Sequence, residues 1–96
     1  MIEIRKTKAF TDWVSGLRDL NVIARIDVRI RRLSLGNPGD VKAVGEGVSE
    51  LRIDYGIGFR VYYTKQGAAF VILLCGGSNK TQAQDIKAAR KLAKEL

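Results

Sequence analysis

No histidine occurs in this chain. The side chain that most readily moves protons near neutral pH, with a pKa of ~6.5, is therefore absent, and the usual acid–base pair for hydrolysis is excluded. A single cysteine, Cys75, excludes an internal disulfide, and its place in an apolar run points to a reducing cytoplasmic home. No cluster of Cys or carboxylates has the spacing of metal ligands, so neither a bound metal nor another cofactor is expected. The N-terminal run MIEIRKTK lacks an apolar core, which argues against a secretory signal. Nothing approaches the length of a membrane span, so no membrane association is expected. Repeats, low-complexity tracts and linkers are missing as well. Splitting 96 residues would leave two pieces too small to bury a useful core, so residues 1–96 read as one domain.

What is present is ordinary hydrophobic content and an excess of cations. Hydrophobic residues make up 46% of the chain, which suits a soluble globular protein. Seventeen Lys and Arg stand against ten Asp and Glu, a net charge of +7. Such a balance seeks an acidic partner; on charge alone nucleic acid, an anionic membrane surface and an acidic protein all remain open.

Hydrophobic periodicity orders the elements. Ile2 and Ile4 alternate with Glu3 and Arg5 as in a short strand. Thr7 can cap a helix in which Phe10, Trp13, Val14 and Leu17 fall on one face. Asn21 reads as the next cap, with Val22, Ile23, Ile26, Ile30 and Leu33 as an apolar stripe and Gly36 as the stop. The short connection favours a helical hairpin. From Val48 the period becomes two: Leu51 and Ile53 oppose Glu50, Arg52 and Asp54. After a turn at Tyr55–Gly58, residues Phe59, Val61 and Tyr63 oppose Arg60, Tyr62 and Thr64. The run Ala68–Cys75 is apolar on both faces, as expected of a central strand. Gly76-Gly77 reads as a turn, and Asn79 with Gln82 as a capping box for a last helix with its apolar stripe on Ala83, Ile86, Ala89, Ala93 and Leu96. The expected fold class is α+β: a small antiparallel sheet with a two-helix hairpin and a C-terminal helix, in the order β-α-α-β-β-β-α.

The candidate site lies on the two strands with arginines. Cleaving RNA through its own 2′-hydroxyl needs a base, an acid, and cations against the charge that grows on the phosphate. Arg52 and Arg60 suit the last task, because a guanidinium grips phosphate with two donors and stays protonated. Tyr62 and Lys80 can move protons only if the site lowers their pKa from about 10, and Glu50, on the Arg52 face, is the other candidate base. The bland alternative for Glu50, Arg52 and Asp54 is a solvated strand face with weak ion pairs. Tyr62 and Tyr63 point to opposite faces; sharing a side with Phe59 and Val61 makes Tyr63 the core residue and Tyr62 the site residue. Arg25, Arg29 and Arg32 recur along one face of the second helix, either as a solvated face or as a rail for nucleic-acid phosphates.

The run ELRIDYGIGFRVYY…LLCGGSNKTQAQDI, within this order of elements, resembles the RelE/ParE superfamily of toxins, in its HigB-like, phage-related addiction-module branch. The resemblance covers essentially the whole chain. It implies a RelE/ParE-like domain and a type II toxin that cleaves messenger RNA on the translating ribosome. A cognate antitoxin, a small helix-turn-helix DNA-binding protein, would neutralise it. Carried over, Arg52 and Arg60 match phosphate-contacting arginines, Tyr62 or Tyr63 an aromatic position, Lys80 the lysine opening the last helix, and Asp85 a structural aspartate. The chain ends at Leu96 without the tail tyrosine or histidine of some ribonuclease members, so the resemblance assigns no acid or base. Two other classes stay open: a ParE-like toxin that inhibits DNA gyrase, and a non-catalytic nucleic-acid-binding module.

Overall fold

Thr7 starts the first helix, as its position before the apolar stripe suggests. Its hydroxyl accepts a hydrogen bond from the Phe10 amide at 3.1 Å in the computed structural model, which describes residues 1–96. The elements are β1 (Glu3–Lys6), α1 (Lys8–Ser15), α2 (Leu20–Ser34), β2 (Val41–Gly45), β3 (Val48–Ile53), β4 (Phe59–Gln66), β5 (Phe70–Ser78) and α3 (Gln82–Lys94). A short 3₁₀ turn, Asn79–Thr81, precedes α3. The cap of α2 is Asp19 rather than Asn21: the Asp19 carboxylate accepts from the Asn21 amide at 2.9 Å. At the other end Gly36 takes a φ of 86°, and the amides of Gly36 and Asn37 bond back to Leu33 and Arg32. This paired closure leaves few orphan carbonyls, and only glycine enters it without strain.

The fold is α+β, and its five strands form one sheet in the order β1-β5-β4-β3-β2. Two features differ from the expected sheet. β1 runs parallel to β5, with Ile4 beside Val71, because the α1–α2 pair carries the chain back across one face of the sheet. β2 is an additional edge strand, paired antiparallel with β3 and interrupted by a bulge after Ala43. No helix is long and apolar enough to cross a membrane.

Helices cover both faces of the sheet. Phe10 of α1 and Val22, Ile26 and Leu33 of α2 pack with Leu51, Ile53, Val61, Tyr63, Val71 and Leu73. Ala89 of α3, with Ile86 and Leu92 beside it, packs with Val48, Tyr62, Ile72, Leu74 and Cys75 on the opposite face. Ala83 and Leu96, expected in the α3 stripe, are exposed instead. A bulge interrupts β5 between the two cores' residues: Tyr62 pairs with Cys75 and Tyr63 with Leu73, leaving Leu74 as the extra residue. The Thr7 hydroxyl donates to the carbonyl of Leu74 at 2.6 Å, which supplies a partner at the point where the ladder breaks.

Gly76 and Gly77 form no turn; they continue β5. A Cβ at Gly76 would stand 2.2 Å from the Trp13 ring, and one at Gly77 would stand 1.8 Å from the Asp85 carboxylate. The two glycines thus let α1 and α3 close onto opposite faces of the same strand.

Candidate functional site

Antiparallel register sets Glu50 beside Tyr62 and Arg52 beside Arg60. All four side chains point to the face that α3 covers, and they meet around one carboxylate. Glu50 is fully buried. Its Oε2 accepts from the Tyr62 hydroxyl at 3.0 Å and from Gln82 Nε2 at 3.1 Å. Oε1 lies 3.5 Å from Arg52 Nε, and Oε2 lies 3.6 Å from Arg60 Nη1. These are charge contacts rather than hydrogen bonds, and both Glu50 Oε1 and Arg60 Nη1 are buried without a hydrogen-bonding partner. A buried carboxylate is tolerable only when charges and donors surround it, and here two guanidiniums, a phenol and an amide do so.

This arrangement bears on the roles expected of Glu50 and Tyr62. Glu50 is not on a solvated face: it has no exposure and lies beneath the two arginines as their counter-charge. Tyr62 is as buried as Tyr63, because α3 covers the face that alternation alone leaves open. Burial, followed by the bond to Glu50 and the charges of Glu50 and Asp85, drives the Tyr62 pKa up, and Arg60 opposes this only in part. The phenol is thus held neutral as a donor, the opposite of the lowering that proton transfer would need. The side chains of Arg52 and Arg60 are 38% and 13% exposed, so Arg52 is the group that presents charge to solvent.

Arg52 and Arg60 line a groove of about 200 Å³ together with Asp40, Asp54 and Asn79. Asn79 was expected as a cap. Instead it donates from Nδ2 to the Ile57 carbonyl at 2.9 Å, while Ser78 caps the 3₁₀ turn, and Gln82 serves Glu50 rather than a capping box. The approach of Asn79 explains Gly58: a Cβ there would stand 2.2 Å from Asn79 Nδ2. Lys80 is exposed on the turn next to Asn79, outside the cluster around Glu50.

The three arginines of α2 divide. Arg29 donates to the carbonyls of Arg52, Pro38 and Asp40, so it is a buttress for β3 and for the α2–β2 connection rather than a free cation. Burial lowers its pKa, against the pull of Asp40, and the three carbonyls hold its charge. Arg25 and Arg32 remain exposed. Arg25 lies over the Tyr55 ring at 4.3 Å. On the other side, Cys75 is buried, and burial with the nearby Asp85 charge pushes its thiol up to about 11, consistent with a core role. No three His, Cys, Asp or Glu side chains come together as a metal-binding set.

Sequence reasoning missed Gln82 and Asn79, because both also suit a helix start. It also missed the bracing role of Arg29, which only the fold brings to β3.

An uncharacterized protein of Haemophilus influenzae is 52% identical over 95 residues, spanning 99% of this chain and 96% of that protein. The chain belongs to the same family as that protein. Family kinship here is that of the whole domain, since the alignment runs through both chains almost from end to end. No family model matches the chain.

Proposed function

We propose that this chain is the toxin of a type II toxin–antitoxin pair: a cytoplasmic, metal-independent endoribonuclease that cuts messenger RNA on the translating ribosome. A cognate antitoxin, itself a helix-turn-helix DNA-binding protein, would hold it in check. The observation that carries this reading is the Arg52–Arg60 pair, directly opposed across β3 and β4 and fixed from beneath by the buried Glu50. Prepositioned cations facing a groove suit a phosphate whose charge grows as its bond to the 5′-oxygen breaks. The net charge of +7 adds long-range attraction for an RNA backbone.

In this reading Arg52 contacts the scissile phosphate and Arg60 supports it from behind. Tyr62, Glu50 and Gln82 keep both guanidiniums in place. Lys80, exposed on the turn next to Asn79, offers a further cation to the RNA backbone. With no histidine and with Glu50 and Tyr62 enclosed, alignment of the 2′-hydroxyl falls to the ribosome, so naked RNA is cut slowly.

A second reading, inhibition of DNA gyrase, draws its support from the burial of Tyr62 and Glu50, which leaves no exposed acid–base pair. Induction in a bacterial host with mapping of message 5′-ends separates the two. Growth arrest with new ends inside translated messages supports the ribonuclease. Arrest with intact messages and signs of DNA damage supports the gyrase inhibitor, and healthy growth despite folded protein contradicts both.

A further inference from the structure

A second groove, of about 560 Å³, lies between α2 and the end of β3 and shares Ile53 and Asp54 with the groove at Arg52. Its cations are Arg25 and Arg32, and its apolar floor includes Ala24, Ile53 and Val28, the last 55% exposed. We propose that this second groove seats the nucleotide adjacent to the phosphate held at Arg52, so that single-stranded RNA follows one track round the end of β3, past Ile53 and Asp54, from the α3 face to the α2 face. The inference rests on the reading of Arg52 and Arg60 as a phosphate clamp, and it names the form of nucleic acid and a further set of contacts.

Three features favour this occupant. The first is charge. Arg52 and Arg60 line one groove, with Asp40, and Arg25 with Arg32 line the other, while Asp54 is the carboxylate that lines both. Phosphates are repelled at Asp54 and held on either side, which places a nucleoside between them. The second is the floor. Exposed Val28 between arginines offers apolar area to a splayed base, whereas a duplex keeps its bases stacked inside and leaves that area wet. The third is Arg25 itself. Its guanidinium lies over the Tyr55 ring at 4.3 Å in an exposed side chain, which limits its motion while its donors stay available to a phosphate. Arg29 builds the wall rather than binding, because its Nη1 and Nη2 already serve three carbonyls and its Nε is buried.

The test is fluorescence anisotropy with labelled octauridylate over a range of salt, with duplex RNA as competitor. Arg52→Ala, Arg25→Ala/Arg32→Ala and Val28→Glu are compared with the unaltered protein, each after its melting transition confirms folding. The salt slope is expected to fall by about 0.7 for each arginine that contacts a phosphate, so by about 0.7 for Arg52→Ala and about 1.4 for the double variant. Val28→Glu is expected to weaken binding about tenfold, with duplex competing poorly. If Arg52→Ala lowers the slope while the double variant and Val28→Glu match the parent, the second groove is overturned and the clamp stands. If only the double variant lowers it, the clamp fails and the continuous track fails with it. Equal competition by duplex overturns the nucleotide seat, and no binding to octauridylate overturns clamp and track together.

Discussion

The Tyr62 hydroxyl donates to Glu50 Oε2 at 3.0 Å, and neither residue touches solvent. This pair, one from each of two neighbouring strands, is the base on which Arg52 and Arg60 stand. Removing the hydroxyl leaves the carboxylate with only Gln82 as a hydrogen-bond donor, so Tyr62→Phe is expected to cost about 1–2 kcal/mol in urea unfolding. Its folded-state pKa is raised above an unfolded value of about 10, so the stabilising contribution is complete below about pH 10 and is lost as pH rises beyond it. The parent protein should therefore lose stability more steeply than Tyr62→Phe on passing from about pH 9 to about pH 11.

Glu50 and Arg52 are expected to differ sharply on truncation. Glu50→Ala leaves the guanidinium of Arg60, 13% exposed, without its counter-charge, at an expected cost of about 3 kcal/mol. Arg52→Ala removes a half-exposed partner and should cost under about 1 kcal/mol. Chemical denaturation of both variants checks this, and equal costs would remove Glu50 from the centre of the cluster.

Gly77 tests the seating of α3. A methyl group there meets the Asp85 carboxylate, whose Oδ2 also accepts from the Thr81 hydroxyl at 2.5 Å, so the start of α3 must move. Gly77→Ala is expected to destabilise by about 2–3 kcal/mol. Hydrogen exchange should show the loss of protection concentrated in residues 79–86.

Glu46 offers a gain. It is the non-glycine residue with positive φ, at 56°, in the tight turn between β2 and β3, followed by Gly47 at 77°. Two left-handed residues in succession suit this kind of hairpin, and a side chain at the first is strained by about 1 kcal/mol. Glu46→Gly removes that strain and gives up an exposed ion pair with Lys94 that contributes little. A rise of a few degrees in melting temperature is the expected result.

Much of the frame can be read from residue order, for reasons that the structure makes plain. Thr7 caps as expected because its hydroxyl has one local donor to serve, and the α2 stripe from Val22 to Leu33 is long enough to fix its period. Alternation correctly sends Leu51, Ile53, Val61 and Tyr63 to one core. It cannot say that the opposite face is also covered, and so Tyr62 and Glu50 look exposed in sequence. The covering group, Gln82, is 32 positions from Glu50, and nothing local links them. β2 escapes notice because five residues, one of them at a bulge, are too few to establish a period. Asn21 looks like the cap because Asp19, two positions earlier, is an equally good acceptor.

The most direct measurement adds purified protein to ribosomes translating a defined message and maps the message ends by primer extension, with Arg52→Ala alongside. Cleavage inside the translated region, lowered about 100-fold or more in the folded variant, is the expected result for a preorganised cation at the scissile phosphate. An intact message, or equal cleavage by the variant, would contradict the proposed ribonuclease site.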